Sequence, residues 1–239
     1  MGTFLIALVI GGALFFFFRI FTMKVDEDQD SEIKGINNYA DKVLVETAQS
    51  IVSCSLHFLK KFHDQYPRDS IMIGAEVLYL AMNQFDRMAF GIVGSERRDE
   101  YYHRLLANSL SEYVSSLVPN ESEEVIDRQI EAHYDQCKLR HEIYGKCTSW
   151  MGEKGGMMPP AGSTLFAFLY FVHSQIRSSN GETFEGEGER VIPMLIGQEK
   201  VTDETLNLLP DFKQIIEWIA LITDYLGHWD FKERLESIK

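Results

Sequence analysis

His133, Cys137 and His141 recur every four residues on what reads as one helix, and imidazole with thiolate is a donor set that suits zinc or copper. Neighbours at i and i+4 share a helix face, so one adjacent pair could hold an ion. All three could not: at 1.5 Å per residue, His133 and His141 stand about 12 Å apart, and an ion on either pair would need ligands from another helix. A second grouping, Glu100-Tyr101-Tyr102-His103, has the Glu-x-x-His spacing of di-iron helix bundles, with Glu76 as a candidate third carboxylate. Such bundles need a second Glu-x-x-His, which the chain lacks.

Both groupings also have a plain packing interpretation. The stripe would be a polar-tolerant core face between Ile126, Ile130 and Tyr144, and Glu96 to Glu100 would be a charged first turn set against a helix dipole. Glu76, Asp86 and Arg87 lie in the most apolar helix, where an unpaired charge is costly. Each is therefore expected to find a partner such as Arg97, Arg98 or Arg104 on the next helix, in a network that fixes packing rather than one that supplies a catalytic acid. There is no Walker loop, dinucleotide-binding glycine fingerprint, Gly-x-Ser-x-Gly elbow or His-Glu-x-x-His helix, so neither a catalytic residue nor a cofactor is assigned.

The elements that would carry these residues are helical throughout. Apolar positions recur at helical spacing over 37–66, and Pro67 closes the run. Residues 70–93 are apolar on most sides, with a narrow polar stripe through Glu76, Asn83 and Arg87, which suits the middle of a bundle. Gly94-Ser95 is expected to break the chain and cap a third helix ending before Pro119, and Asn120 with Glu123 resembles a capping box opening a fourth that runs to about Trp150. Residues 151–163 hold too much glycine and proline for regular structure. Within them Met151, Met157 and Met158 are candidate partner-binding residues, because methionine adapts to varied surfaces. A buried fifth helix over 164–177, a loop over 181–188, a short apolar piece at 191–196 broken by Pro193, and one or two closing helices over 202–238, broken near Pro210 and Gly227, complete the chain. No strand alternation or repeat is visible. The fold expected is all-α, with one amino-terminal transmembrane helix followed by a bundle of five to seven helices over 37–239.

The amino terminus carries the membrane signal. From Phe4 to Phe18 there is no charged or strongly polar side chain, and with Met1 to Thr3 ahead and Ile20 to Met23 behind, the stretch approaches spanning length, which assigns residues 1–24 as the anchor. No basic n-region or usable small-x-small site supports a cleaved signal peptide, and Ile6 stands where a myristoylation signal needs Ser or Thr. Arg19, Lys24 and Lys34 all follow the apolar run, which predicts a main domain on the cytoplasmic side, held off by an acidic linker over 25–36. The whole chain carries a net charge of −13, which repels phosphate backbones and excludes nucleic acid as a general partner. Three cysteines without C-x-x-C spacing read as reduced core thiols. The function expected is that of a membrane-anchored adaptor or scaffold acting on a protein partner. The alternatives are a metal-binding or enzymatic bundle using Glu76, Glu100, His103 or the His133/Cys137/His141 stripe, and a binder of a lipid or small hydrophobic ligand.

Overall fold

The computed structural model describes residues 30–64, 66, 70–148, 159–182, 187–200 and 209–239. Eight helices run through them: α1 Asp30–His63, α2 Ser70–Ile92, α3 Gly94–Leu117, α4 Glu123–Lys146, α5 Thr164–Ser179, α6 Glu187–Leu195, α7 Phe212–Trp229 and α8 Phe231–Ser237. No strand occurs among the described residues. The chain divides into two compact units, Met1–Ala40 and Asp41–Lys239. The expected membrane span at 1–24 lies outside the described residues, and among those described no helix is long and apolar enough to cross a membrane.

The second unit is organised around α2, which packs against α3, α4, α5 and α8. From Ile73 to Asp86 it leaves no face for water: Ile73, Val77, Leu78, Leu80, Met82 and Phe85 are all buried. Removing each such side chain from water contributes roughly 1.5–3 kcal/mol, which makes α2 the element the others fold around. Aromatic contacts extend the core in two directions. Phe58 and Phe62 of α1 meet Trp218 of α7 and Phe168 of α5, while Phe85 meets Phe231, which stacks on Trp229.

Side-chain bonds fix the helix directions. The Tyr113 hydroxyl donates to the Ile71 carbonyl near the start of α2, whereas Arg98 reaches Asp86 near its end, so α2 and α3 are antiparallel. Tyr79 meets His133 and Arg87 meets Tyr144, so α2 and α4 run parallel.

Several boundaries differ from the sequence expectation for local reasons. α1 is already helical at Asp30, the first described residue, so helix extends into the stretch expected as linker. α3 starts at Gly94 itself, whose φ of 81° turns the chain in one residue, and Val93 rather than Ser95 occupies the cap position. The fourth helix is capped at Ser122, not Asn120, and ends at Lys146. Pro193 sits inside α6 and does not break it. The final break falls at Asp230, in the left-handed region at φ 50°, and Gly227 remains helical.

The expected loop ends in fixed structure. Ser163 caps α5 by accepting from the Phe166 amide. Gly162 donates to the Leu195 carbonyl and accepts from Thr148, and a Cβ on it would stand 3.0 Å from the Gly197 Cα.

Candidate functional site

Glu76, Asp86, His133 and Cys137 are buried between α2, α4 and their neighbours, whereas Glu100 and His103 are not. Glu76 is fully buried, and its partner is Arg140 of α4, not an arginine of α3. Arg140 donates through Nε at 3.1 and 3.0 Å to the two carboxylate oxygens and through Nη2 to Oε1 at 2.7 Å. The antiparallel α2–α3 pairing explains the correction: Arg97, Arg98 and Arg104 stand level with the far half of α2, and Glu76 near its start faces α4 instead. Gln175 of α5 adds a bond to Oε1 at 3.4 Å, and the guanidinium lies 3.8 Å from the Phe171 ring centroid. Burial works against the Arg140 charge, but the Glu76 charge and hydrogen bonds outweigh it and hold the group firmly protonated.

Each member of the α4 stripe faces a different partner. His133 Nδ1 lies 2.6 Å from the Tyr79 hydroxyl, and the His133 ring meets the edge of Tyr113 at 5.8 Å. Burial lowers the His133 pKa, while burial and then the Glu76 charge push the Tyr79 phenol far up, so a neutral ring and a protonated phenol share one hydrogen bond. Cys137 Sγ is 4.0 Å from the Tyr102 hydroxyl, and burial pushes its thiol up to about 12. A metal takes a thiolate, and this site holds the thiol protonated. His141 Nε2 is 3.3 Å from Asp86 Oδ2, with its ring against Tyr102.

Asp86 also accepts from Arg98 Nε and Nη2 at 2.6 and 2.7 Å, the partner expected for it. Its burial opposes ionisation, but the hydrogen bonds and charges of His141 and Arg98 win and hold the carboxyl below the usual range. Arg87 caps the carboxyl end of α4, donating to the Tyr144 and Cys147 carbonyls at 2.5 and 2.8 Å, where the helix dipole favours a cation.

Glu100 and His103 lie on the outer surface of α3. Glu100 pairs with Arg104 at 2.8 Å, and His103 edges onto Tyr102. Glu76 is committed to Arg140 and supplies no carboxylate to them. Among the described residues no three His, Cys, Asp or Glu side chains come together to hold a metal ion. Met151, Met157 and Met158 lie outside the described residues.

Sequence reasoning missed Arg140, Tyr79 and Tyr102. Arg140 had a readable signal, since 133, 137, 140 and 144 follow the three-and-four spacing of one buried helix face better than 133, 137 and 141 do. What such a constellation does chemically is lock helices in register: Glu76 ties α2 to α4 through Arg140, Asp86 ties α2 to α3 through Arg98, and Arg87 holds the carbonyls that end α4. No protein-family model, curated protein or solved structure matches this chain.

Proposed function

We propose that the chain is a membrane-tethered helical scaffold that acts by protein contact, anchored in the bilayer through residues 1–24 with its main domain on the cytoplasmic side. One observation carries the reading: the buried side chains that could do chemistry are spent on structural partners. Glu76 is held by Arg140, Asp86 by Arg98 and His141, and His133 by Tyr79. Charges matched in this way specify register and leave binding to the surface. The adaptable methionines Met151, Met157 and Met158 are the proposed contact residues, and the net charge of −13 disfavours nucleic acid as the partner.

Membrane fractionation with affinity capture tests both parts. The full chain should stay with membranes through high salt and carbonate, and a protein captured with it from detergent extract should be lost on replacing the three methionines by serine. Recovery of the chain in the salt-washed soluble fraction would remove the anchor, and capture unaffected by the serine substitutions would remove the methionine contact.

A further inference from the structure

Among the described residues Asp230 is the only one other than glycine with a positive φ, and it alone separates α7 from α8, at φ 50° and ψ 37°. Its amide donates to the Leu226 carbonyl at 3.4 Å, and its carbonyl accepts from the Arg234 amide at 3.1 Å. Both bonds already have the four-residue spacing of an α-helix. The ladder is interrupted only at the amides of Phe231, Lys232 and Glu233, which lie across the bend from the carbonyls of Gly227, His228 and Trp229, and Asp230 gives α8 no side-chain cap. A left-handed backbone is unfavourable for a residue with a Cβ, although Asp tolerates it better than most. Turning this one residue to helical angles would merge α7 and α8 into a single helix over 212–237 and complete the ladder.

What holds α8 is the groove it fills. A helix of seven residues is too short to be stable by itself. Phe231, Leu235 and Ile238 recur at i, i+4 and i+7 and are all buried, while Lys232, Glu233 and Glu236 face water. Phe231 meets Phe85 of α2 edge to face at 5.6 Å and stacks on Trp229 at 5.4 Å. The Tyr101 hydroxyl of α3 donates to the Ile238 carbonyl at 3.1 Å. The groove is therefore made by α2, α3 and the last turn of α7, and the chain enters it through Asp230 alone.

We propose that α8 is exchanged between two copies of this chain: α7 and α8 straighten at Asp230, and the Phe231, Leu235 and Ile238 face of each copy seats in the groove of the other. The contacts α8 makes within one chain are remade between two, the Trp229–Phe231 stack included, so the exchange changes little besides the hinge. At the hinge the straightened form gains helical backbone at Asp230 and partners for three amides. Against it stands the nearness of α8 to its own groove, which favours the single chain until concentration rises. The dimer is thus a concentration-dependent state whose balance is set by residue 230.

The test varies residue 230 in the full chain, in nonionic detergent, with protein mass read by light scattering across a concentration series. Asp230→Ala keeps the left-handed penalty and supplies the best helix former, so it should raise the dimerisation constant roughly tenfold or more. Asp230→Gly removes the penalty and weakens a straight helix, so it should lower the constant by a similar factor. Hydrogen exchange reads the hinge directly: the amides of residues 231, 232 and 233 should exchange more slowly in the dimer than in the single chain. Adding Leu235→Ala to Asp230→Ala should remove the dimer, because the exchanged face loses its fully buried anchor. Dimers that form equally in all three chains, that leave the hinge amides exchanging as in the single chain, or that survive Leu235→Ala are ordinary surface contacts and overturn the exchange. Single chains at the highest concentration reached in wild type and both variants overturn it as well. If Asp230→Ala loses its helical circular dichroism, wild type against Asp230→Gly decides by the same signs.

Discussion

A Cβ placed on Gly74 would stand 2.6 Å from the hydroxyl oxygen of Tyr113. That hydroxyl bonds the Ile71 carbonyl one turn earlier, so the bare backbone at Gly74 is what lets α3 anchor to α2. Replacing a helix-interior glycine by alanine ordinarily stabilises by about 1 kcal/mol. Here the new methyl would also meet Leu59 Cβ at 2.8 Å and the Ser55 carbonyl oxygen at 3.0 Å, so Gly74→Ala should instead destabilise by about 1–3 kcal/mol. Adding Tyr113→Phe should recover part of the loss by removing the nearest atom. A raised urea midpoint for Gly74→Ala alone would contradict the packing described.

Removing one half of the buried ion pair should be far worse than removing both. Arg140→Met leaves the Glu76 carboxylate without its counter-charge and should cost about 3–5 kcal/mol, whereas Arg140→Met with Glu76→Leu should recover most of it. A double-mutant cycle by urea unfolding measures the coupling; additive losses would show that the two groups do not depend on each other.

Acid should weaken the fold in two stages. The His133 ring is held neutral by burial, while the unfolded chain takes up a proton near pH 6.5. Below about that pH the unfolded state binds more protons, so this contribution is complete above it and is lost as pH falls toward the folded value. His173 works in the same direction, disfavoured as a cation by burial and then by Arg177. The Asp86 carboxyl, held low against its burial by His141 and Arg98, adds a second loss below its unfolded value of about 3.9. The urea midpoint should therefore be lower at pH 5.5 than at pH 7.5, and the difference should shrink in His133→Gln; an unchanged difference would exclude His133 as its source.

All three thiols should be silent in the folded protein. Cys54, Cys137 and Cys147 are buried, and burial pushes them up to about 11, about 12 and about 11. With a thiol-exchange reagent at neutral pH, reaction should wait for unfolding and then proceed at all three together. Fast modification of any one under native conditions would place it at the surface.

On the proposed reading of residues 1–24 as a span, Asn120 is a marker for which side of the membrane the domain occupies. It begins an Asn-x-Ser sequon and is exposed on the turn between α3 and α4. Translation into microsomes should leave it unmodified if the domain faces the cytoplasm; a size shift abolished by Asn120→Gln would put the domain on the lumenal side.

The helical class was legible because periodicity is a local property: the apolar spacing over 70–93 identifies α2, and its nearly continuous apolar surface already implies a central position. Ion-pair partners are not local. Choosing Arg140 over Arg97 for Glu76 requires knowing that α2 and α3 are antiparallel while α2 and α4 are parallel, which no spacing in the chain records. The His133, Cys137 and His141 pattern shows a related limit, since a four-residue period drifts around a 3.6-residue helix and its members end against Tyr79, Tyr102 and Asp86. Helix ends were misjudged where one residue decided the outcome, as at Asp230, whose left-handed backbone ends α7 although Gly227 has the freer chain.

The bond from the Thr148 amide to the Gly162 carbonyl, 3.0 Å long, brings the two sides of residues 149–158 back to one point. Gly162 is held there by Leu195 and by its close approach to Gly197, so the spacing of α4 and α5 is set by that crossing and not by the length of chain between them. One methyl group added at Gly162 would therefore push the crossing apart and respace α4 and α5 with it.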